Sequence, residues 1–244
     1  MDQTDYYKRT IIKQKIASDH LGKERNLWVY LPPGYSELTN YPVIYCQDGA
    51  EFLNYGRIAT HTNYLVLEED IVAPIIVGIE VDLPKRTEEY SPVGSRYDAY
   101  CHFVAKEVVP FVERRFPVIT DTASRILAGD SLGATISLHL ALEYPELFSK
   151  VISLSGAFLD FTLARLQAEQ DLSRIHMYML IGLQETAVKT DNGEFDFLEY
   201  NRRTKLLLEQ KHTMLTYREA PGRHIWGFWQ NELQDALRHF LARD

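Results

Sequence analysis

Apolar and polar residues alternate along TIIKQKIAS (residues 10–18) and RNLWVYLP (residues 25–32), the two-residue period of a half-buried strand. The polar DHLGKE between them turns the chain, so the spacing predicts an antiparallel hairpin. PPGYSELTNYP then breaks the pattern, and short β-rich runs begin to alternate with longer helical ones. Strands are expected over residues 43–46, 74–81, 125–128, 150–154, 176–181 and 214–218. Helices are expected over 58–69, 98–116, 132–143, 194–211 and 225–241, with a shorter one over 161–168. Strand followed by helix, repeated after a hairpin, predicts an α/β fold: a mostly parallel central sheet with helices on both faces. Sites in such sheets lie beyond the C-terminal ends of the strands. Residues 82–96, DLPKRTEEYSPVGSR, are long for a connection and read as a surface excursion or a binding loop.

Composition narrows the field. The 244 residues suit one large domain, and 45% hydrophobic with 25% charged residues is ordinary for a globular chain. A formal net charge of −8 without a dense Lys/Arg cluster argues against nucleic acid as a partner. The polar N-terminus MDQTDYYKRT lacks the features of a secretory signal. The longest apolar stretch, residues 71–81, is broken by Pro74 and Glu80 and is too short to span a bilayer, so no membrane partner and a cytoplasmic location are expected. Cys46 and Cys101, one in an expected strand and one in an expected helix, read as buried thiols.

The chemistry enters at RILAGDSLGATISLHLALEYP. Gly129-Asp130-Ser131-Leu132-Gly133 has an apolar run before it and a helical run after it, the arrangement of a nucleophile elbow. Small residues are needed there because the turn brings strand and helix into contact. A serine hydroxyl needs a general base, itself oriented by a carboxylate, and this fold orders them serine, acid, histidine. Of the late histidines, His212 begins a strand and His239 belongs to the last helix. His224, in EAPGRHIWGFW, follows a strand and a Pro-Gly break, where a catalytic base belongs. The acid comes from the loop after HMYMLIG: Glu185 leads and Asp191 is the alternative, while Asp196 reads as already helical. Two backbone N–H groups must face the developing oxyanion. Leu132 supplies one and Ala50, in the loop after VIYC, the other, with Glu51 the neighbour to consider in its place. GxxxxGK, GxGxxG and HExxH do not occur, so no cofactor and no metal are implied.

Taken together, VYLPPGY, QDGAEFLNYGR, RTEEYSP, FVAKEVVPFVERRFPV, AGDSLGA and EAPGRHIWGFW resemble the esterase D-like branch of the α/β-hydrolases. That group contains enterochelin and other siderophore esterases, feruloyl esterases, S-formylglutathione hydrolases and mycolyltransferases. The resemblance covers most of the chain. It implies a serine hydrolase of carboxylic esters using Ser131, His224 and Glu185 through an acyl-enzyme, acting on a small-molecule siderophore-type, aromatic or short acyl ester. QDG followed by NYGR is closer to the siderophore-esterase and small bacterial esterase subgroup. Ala134 and Arg223 stand where many relatives have glycine. Arg57, Arg86, Tyr90, Arg223 and Trp226 are candidate substrate contacts, with Arg86 and Glu89 able to pair and Trp226 and Trp229 dividing between pocket wall and core. Acyl transfer with the same residues, or a non-catalytic binding module, are the alternatives, and relatives of this size suggest a homodimer.

Overall fold

The computed structural model describes residues 8–190 and 192–243. The opening hairpin forms from β1 (Thr10–Ser18) and β2 (Lys23–Leu31), antiparallel with Thr10 opposite Leu31. β3 (Val43–Cys46), β4 (Ile75–Ile79), β5 (Arg125–Asp130), β6 (Lys150–Leu154), β7 (His176–Gly182) and β10 (Met214–Ala220) complete an eight-stranded sheet in the order β1-β2-β4-β3-β5-β6-β7-β10. The pairs from β4 to β10 are parallel, and β2 meets β4 antiparallel.

Burial explains the residue choice. β3, β4 and β5 are buried at every position because helices cover both faces, so β3, β4 and the middle of β5 lack the polar alternation of an exposed strand. β1, on the edge, mixes exposed and buried positions. Successive strand residues face opposite cores. Val43 and Tyr45 pack with Tyr100, Phe103, Val108 and Val112, whereas Ile44 and Cys46 pack with Ile58, Leu65, Leu233 and Leu237.

The first of these layers includes α4 (Tyr97–His102), a π-helical stretch (Phe103–Val108) and α5 (Val109–Arg115), which together fill the helix expected over 98–116. It also holds α6 (Leu132–Glu143), buried without a break from Gly133 to Leu142, as a helix between the sheet and other helices must be. The second layer is α2 (Ile58–Glu68) and α9 (Trp226–Leu241), the latter burying Phe228, Trp229, Leu233, Ala236, Leu237 and Leu241.

Three short elements were not expected from the pattern: α1 (Gly49–Asn54), α3 (Arg86–Tyr90) and an antiparallel ribbon of β8 (Val188–Thr190) and β9 (Gly193–Phe195). The helix expected from residue 194 starts later, as α8 (Phe197–Gln210), with Asp196 as its N-cap accepting from Glu199 N–H at 2.9 Å. Residues 193–195 pair with β8 instead, which moves the helix start downstream. α7 (Asp160–Ala168) is the remaining α-helix among the described residues, and short 3-10 turns lie at Leu83–Lys85 and Thr122–Ser124.

From β3 the chain goes to β4 on one side, then returns to place β5 on the other. The loops leaving β3 and β5 therefore diverge at one switch point, which opens a crevice above the sheet.

Candidate active site

β5 ends at Asp130, and Ser131 takes φ 52° and ψ −122° before α6 begins. A non-glycine residue is costly there, and its neighbours hold it. Ser131 N–H donates to Leu154 O at 2.9 Å, and its carbonyl accepts from Ala157 at 3.0 Å and Ala134 at 3.1 Å. Gly129 is required by contact: a Cβ on it would lie 2.1 Å from the Gly133 carbonyl carbon. Ser131 occupies the N-cap position of α6 yet makes no side-chain cap, so its hydroxyl is not committed to the helix.

His224 sits between β10 and α9, with Nδ1 2.6 Å from Glu185 Oε2. Glu185 is fully buried, and its other oxygen accepts from Ser155 Oγ at 2.6 Å and Gly182 N–H at 2.9 Å. Ser155 Oγ in turn accepts from Trp229 Nε1 at 2.8 Å. The His224 ring stands edge-on between Phe197 and Trp229, with centroids 4.8 and 4.9 Å away. A carboxylate fixed from behind and a ring wedged from both sides give the imidazole one orientation. Ser131 and His224 line two cavities together, of about 260 and 460 Å³. Ser155 carries no motif in the sequence. Its position after β6, at φ 49°, is recognisable only once β6 and β7 are paired.

On the other side of the crevice, Asp48 follows β3 in the left-handed region, at φ 51° and ψ 45°. Leu132 and Ala50 lie in the first turns of α6 and α1, where N–H groups have no intrahelical partner, and neither has a backbone acceptor among the described residues. Arg86 grips Asp48 with two bonds, Nε to Oδ1 at 3.0 Å and Nη2 to Oδ2 at 2.8 Å. The expected Arg86–Glu89 pair is not made: Glu89 is fully buried and takes Arg25 at 2.5 Å, because that guanidinium is buried too and needs a counter-charge. Burial opposes the charge on Arg86, but Asp48 outweighs it and holds Arg86 above its ordinary pKa. Burial, then the Asp48 charge, push the Asp130 carboxyl well above the usual range, with Arg86 opposing.

The other candidate contacts divide. Trp226 lines the 460 Å³ cavity and donates Nε1 to Glu51 Oε2 at 2.8 Å, while Trp229 is buried. Tyr90 does not border the cleft: it is 0% exposed, because its ring packs beneath Arg86 and its hydroxyl accepts the Asp48 N–H at 3.2 Å. Arg57, at the head of α2 with φ 50°, and Arg223 are both exposed and line none of the cavities around Ser131. Asp191 lies outside the described residues. Residues 82–96 are not a free excursion. Thr87 reaches the 260 Å³ cavity, and Thr87, Val93 and Gly94 line an adjoining cavity of about 450 Å³ with Leu132, Ala157, Leu159 and Phe161. Lys189, Asn192 and Phe195 of the β8–β9 ribbon form the rim.

Among the described residues no group of three or more His, Cys, Asp or Glu could hold a metal ion. Both cysteines are buried and unpaired, and burial pushes the Cys101 thiol up to about 12. No described helix is long and apolar enough to cross a membrane.

A sheet wound in this order, with a serine elbow beyond its central strand, is that of an α/β-hydrolase. The Esterase family model, described as "Putative esterase", matches residues 18–240, and the chain belongs to that family of carboxylic ester hydrolases. It is 38% identical over 234 residues to "Uncharacterized protein YjcH" of Bacillus subtilis (strain 168), covering 95% of this chain and 98% of that one. It is 26% identical over 149 residues to an endo-1,4-beta-xylanase/feruloyl esterase of Xylanibacter ruminicola, covering 57% of this chain and 20% of that one. Among solved structures, a ferulic acid esterase superposes with TM-score 0.81 at 17% identity, covering 96% of this chain and 98% of the other. The enterobactin esterase FES from Shigella flexneri superposes with TM-score 0.82 at 18% identity, covering 98% of this chain and 62% of the other.

Proposed function

We propose that Ser131, His224 and Glu185 form the catalytic triad of a serine carboxylesterase. The observation that carries this reading is the 2.6 Å contact between His224 Nδ1 and a buried Glu185, with His224 sharing two cavities with the strained Ser131. Ser131 Oγ attacks the ester carbonyl carbon as its proton passes to His224 Nε2. The tetrahedral oxyanion takes N–H donation from Leu132 and Ala50. As it collapses, His224 returns the proton to the leaving alcohol, and the acyl group remains on Ser131. Water, deprotonated by His224, attacks that acyl carbon; the second collapse releases the carboxylic acid and restores the serine. Glu185 keeps its charge throughout, fixing the ring and stabilising the imidazolium.

We assign the acyl group to the cavities past Leu132 and Ala157. Leu159, Val93 and Phe161 offer a mainly apolar lining, and the combined space suits an aryl or short acyl group better than a polar one. A ferulic acid esterase is among the proteins of like fold.

A fluorophosphonate should add once to the folded protein, at Ser131 by peptide mass, and not to Ser131→Ala. The same substitution should lower kcat/KM for p-nitrophenyl acetate by on the order of a thousandfold or more. Labelling at another serine, or activity retained in Ser131→Ala, would sink the assignment. Methyl ferulate turned over more efficiently than an ester with a charged acyl group would support the acyl pocket.

A further inference from the structure

The Arg86–Asp48 pair stands where two backbone segments meet. Asp48 is the last residue before α1 and is held in the left-handed region. Its carboxylate is 1% exposed and accepts both Arg86 bonds, while its N–H donates to the buried Tyr90 hydroxyl. Tyr100 supports the same turn by donating to Gln47 Oε1 at 2.5 Å. Gly49 presses on β4 so closely that a Cβ there would lie 2.2 Å from the Gly78 carbonyl carbon. The turn is thus gripped at its amide, its side chain and its back.

The pair also touches the elbow. A Cβ built on Gly133 would lie 2.9 Å from Asp48 Oδ2 and 3.9 Å from Arg86 Nη2, so the ion pair packs directly against the first turn of α6. Ala50 follows Asp48 by two residues and Leu132 precedes Gly133 by one. The ion pair thus lies between the two segments that carry the N–H groups given to the oxyanion above. Arg86 belongs to α3 and itself lines the two cavities that Ser131 and His224 share, and its neighbour Thr87 lines the acyl cavities.

We infer that Arg86, Asp48 and Tyr90 are positioning residues that fix the spacing of the Leu132 and Ala50 N–H groups. This rests on the oxyanion reading in the preceding subsection. An oxyanion hole works only when its donors are already in place as charge develops, and a displacement of about 1 Å costs on the order of a hundredfold in rate. The signature of such a role is a fall in kcat at nearly constant KM, because the ground-state carbonyl needs these donors less than the tetrahedral state does.

The test uses Asp48→Asn, Arg86→Lys and Tyr90→Phe in the full chain. Active sites are counted by fluorophosphonate titration, so that misfolded protein does not enter the rate. Asp48→Asn and Arg86→Lys should each lower kcat per titrated site for p-nitrophenyl acetate by about 10- to 100-fold, with KM within about threefold. The affinity of an aryl boronic acid, whose serine adduct carries a tetrahedral oxygen, should fall in parallel. The Asp48→Asn, Arg86→Lys double variant should be no worse than the poorer single by more than about threefold, since both break one clamp. Tyr90→Phe removes one hydroxyl from the core and carries the test if the charge variants do not fold; its kcat should fall by about 3- to 10-fold. Rates per site within about threefold of the parent for Asp48→Asn and Arg86→Lys, or for Tyr90→Phe where only that variant folds, would overturn the inference. A loss confined to KM would also overturn it, and would return Arg86 to substrate binding. A parent protein that is not labelled at Ser131 overturns the triad reading instead, and is seen before any variant is made.

Discussion

Glu185 uses both of its oxygens: one meets His224 Nδ1, and the other accepts from Ser155 and the Gly182 N–H. Glu185→Gln keeps the shape but replaces one acceptor with a donor, so the amide faces either the imidazole or two donors with the wrong partner. The ring then loses its fixed tautomer, and kcat for p-nitrophenyl acetate should fall by on the order of 10²- to 10⁴-fold with little change in KM. A variant within about tenfold of the parent would remove Glu185 from the proposed triad. At this scale the serine, the histidine and the carboxylate were legible because each sits in a short stretch whose neighbours mark it: glycines around Ser131, a Pro-Gly break before His224, a strand end before Glu185. Ser155 and Asp48 had no such marks. Arg86 was read with the wrong partner because Glu89, three residues on, is the helical neighbour, whereas a buried Arg25 claims it across the fold.

The elbow is a contact between elements as much as a turn. α6 approaches β5 closely enough that Gly129→Ala would drive a methyl group into the Gly133 backbone, where no side chain can move aside. Overpacking of this kind should cost about 1–3 kcal/mol in urea unfolding. An unchanged midpoint and slope would mean that the helix shifts freely. Most of the sheet and the long helices were legible from periodicity, and strands 43–46 and 150–154 and helix 132–143 begin and end where expected. The β8–β9 ribbon was missed, although Asn192-Gly193 is a hairpin dipeptide. The flanking strands are only three residues long, too short for an alternating pattern to outweigh the helical run that follows.

Across the whole molecule, full or partial burial holds several histidines below their ordinary pKa. His139, in the middle of α6, is 3% exposed, with Nδ1 3.2 Å from Tyr97 Oη and Nε2 3.0 Å from Thr162 Oγ1. Burial, with a smaller contribution from the nearby Arg165, pulls its pKa down to about 4. Burial lowers the neighbouring His176 and His239 as well, whose Nε2 atoms are 2.8 Å apart. The unfolded chain takes up these protons near pH 6.5 and the folded chain does not, so stability is complete above that pH and is lost as the pH falls toward 4. His139 alone should remove about 2 kcal/mol between pH 7.5 and pH 5. Urea unfolding at pH 7.5 and pH 5 checks this, and His139→Gln should lessen the difference by about that amount, leaving the share of His61, which burial also lowers to about 4, and of His176 and His239. An equal pH loss in that variant would place the effect elsewhere.

The sequence by itself determined the alternation of strands and helices, the serine at its strand-to-helix turn and the order of serine, acid and histidine along the chain. These follow from backbone sterics and side-chain periodicity, which act between near neighbours. Only the tertiary structure decided which charges pair, which aromatic rings face the crevice and where the cavities beside Ser131 lie. Those outcomes depend on contacts such as Trp226 with Glu51, 175 residues apart. Crossovers in the sheet create them, and nothing local in the chain records which side chain will arrive opposite.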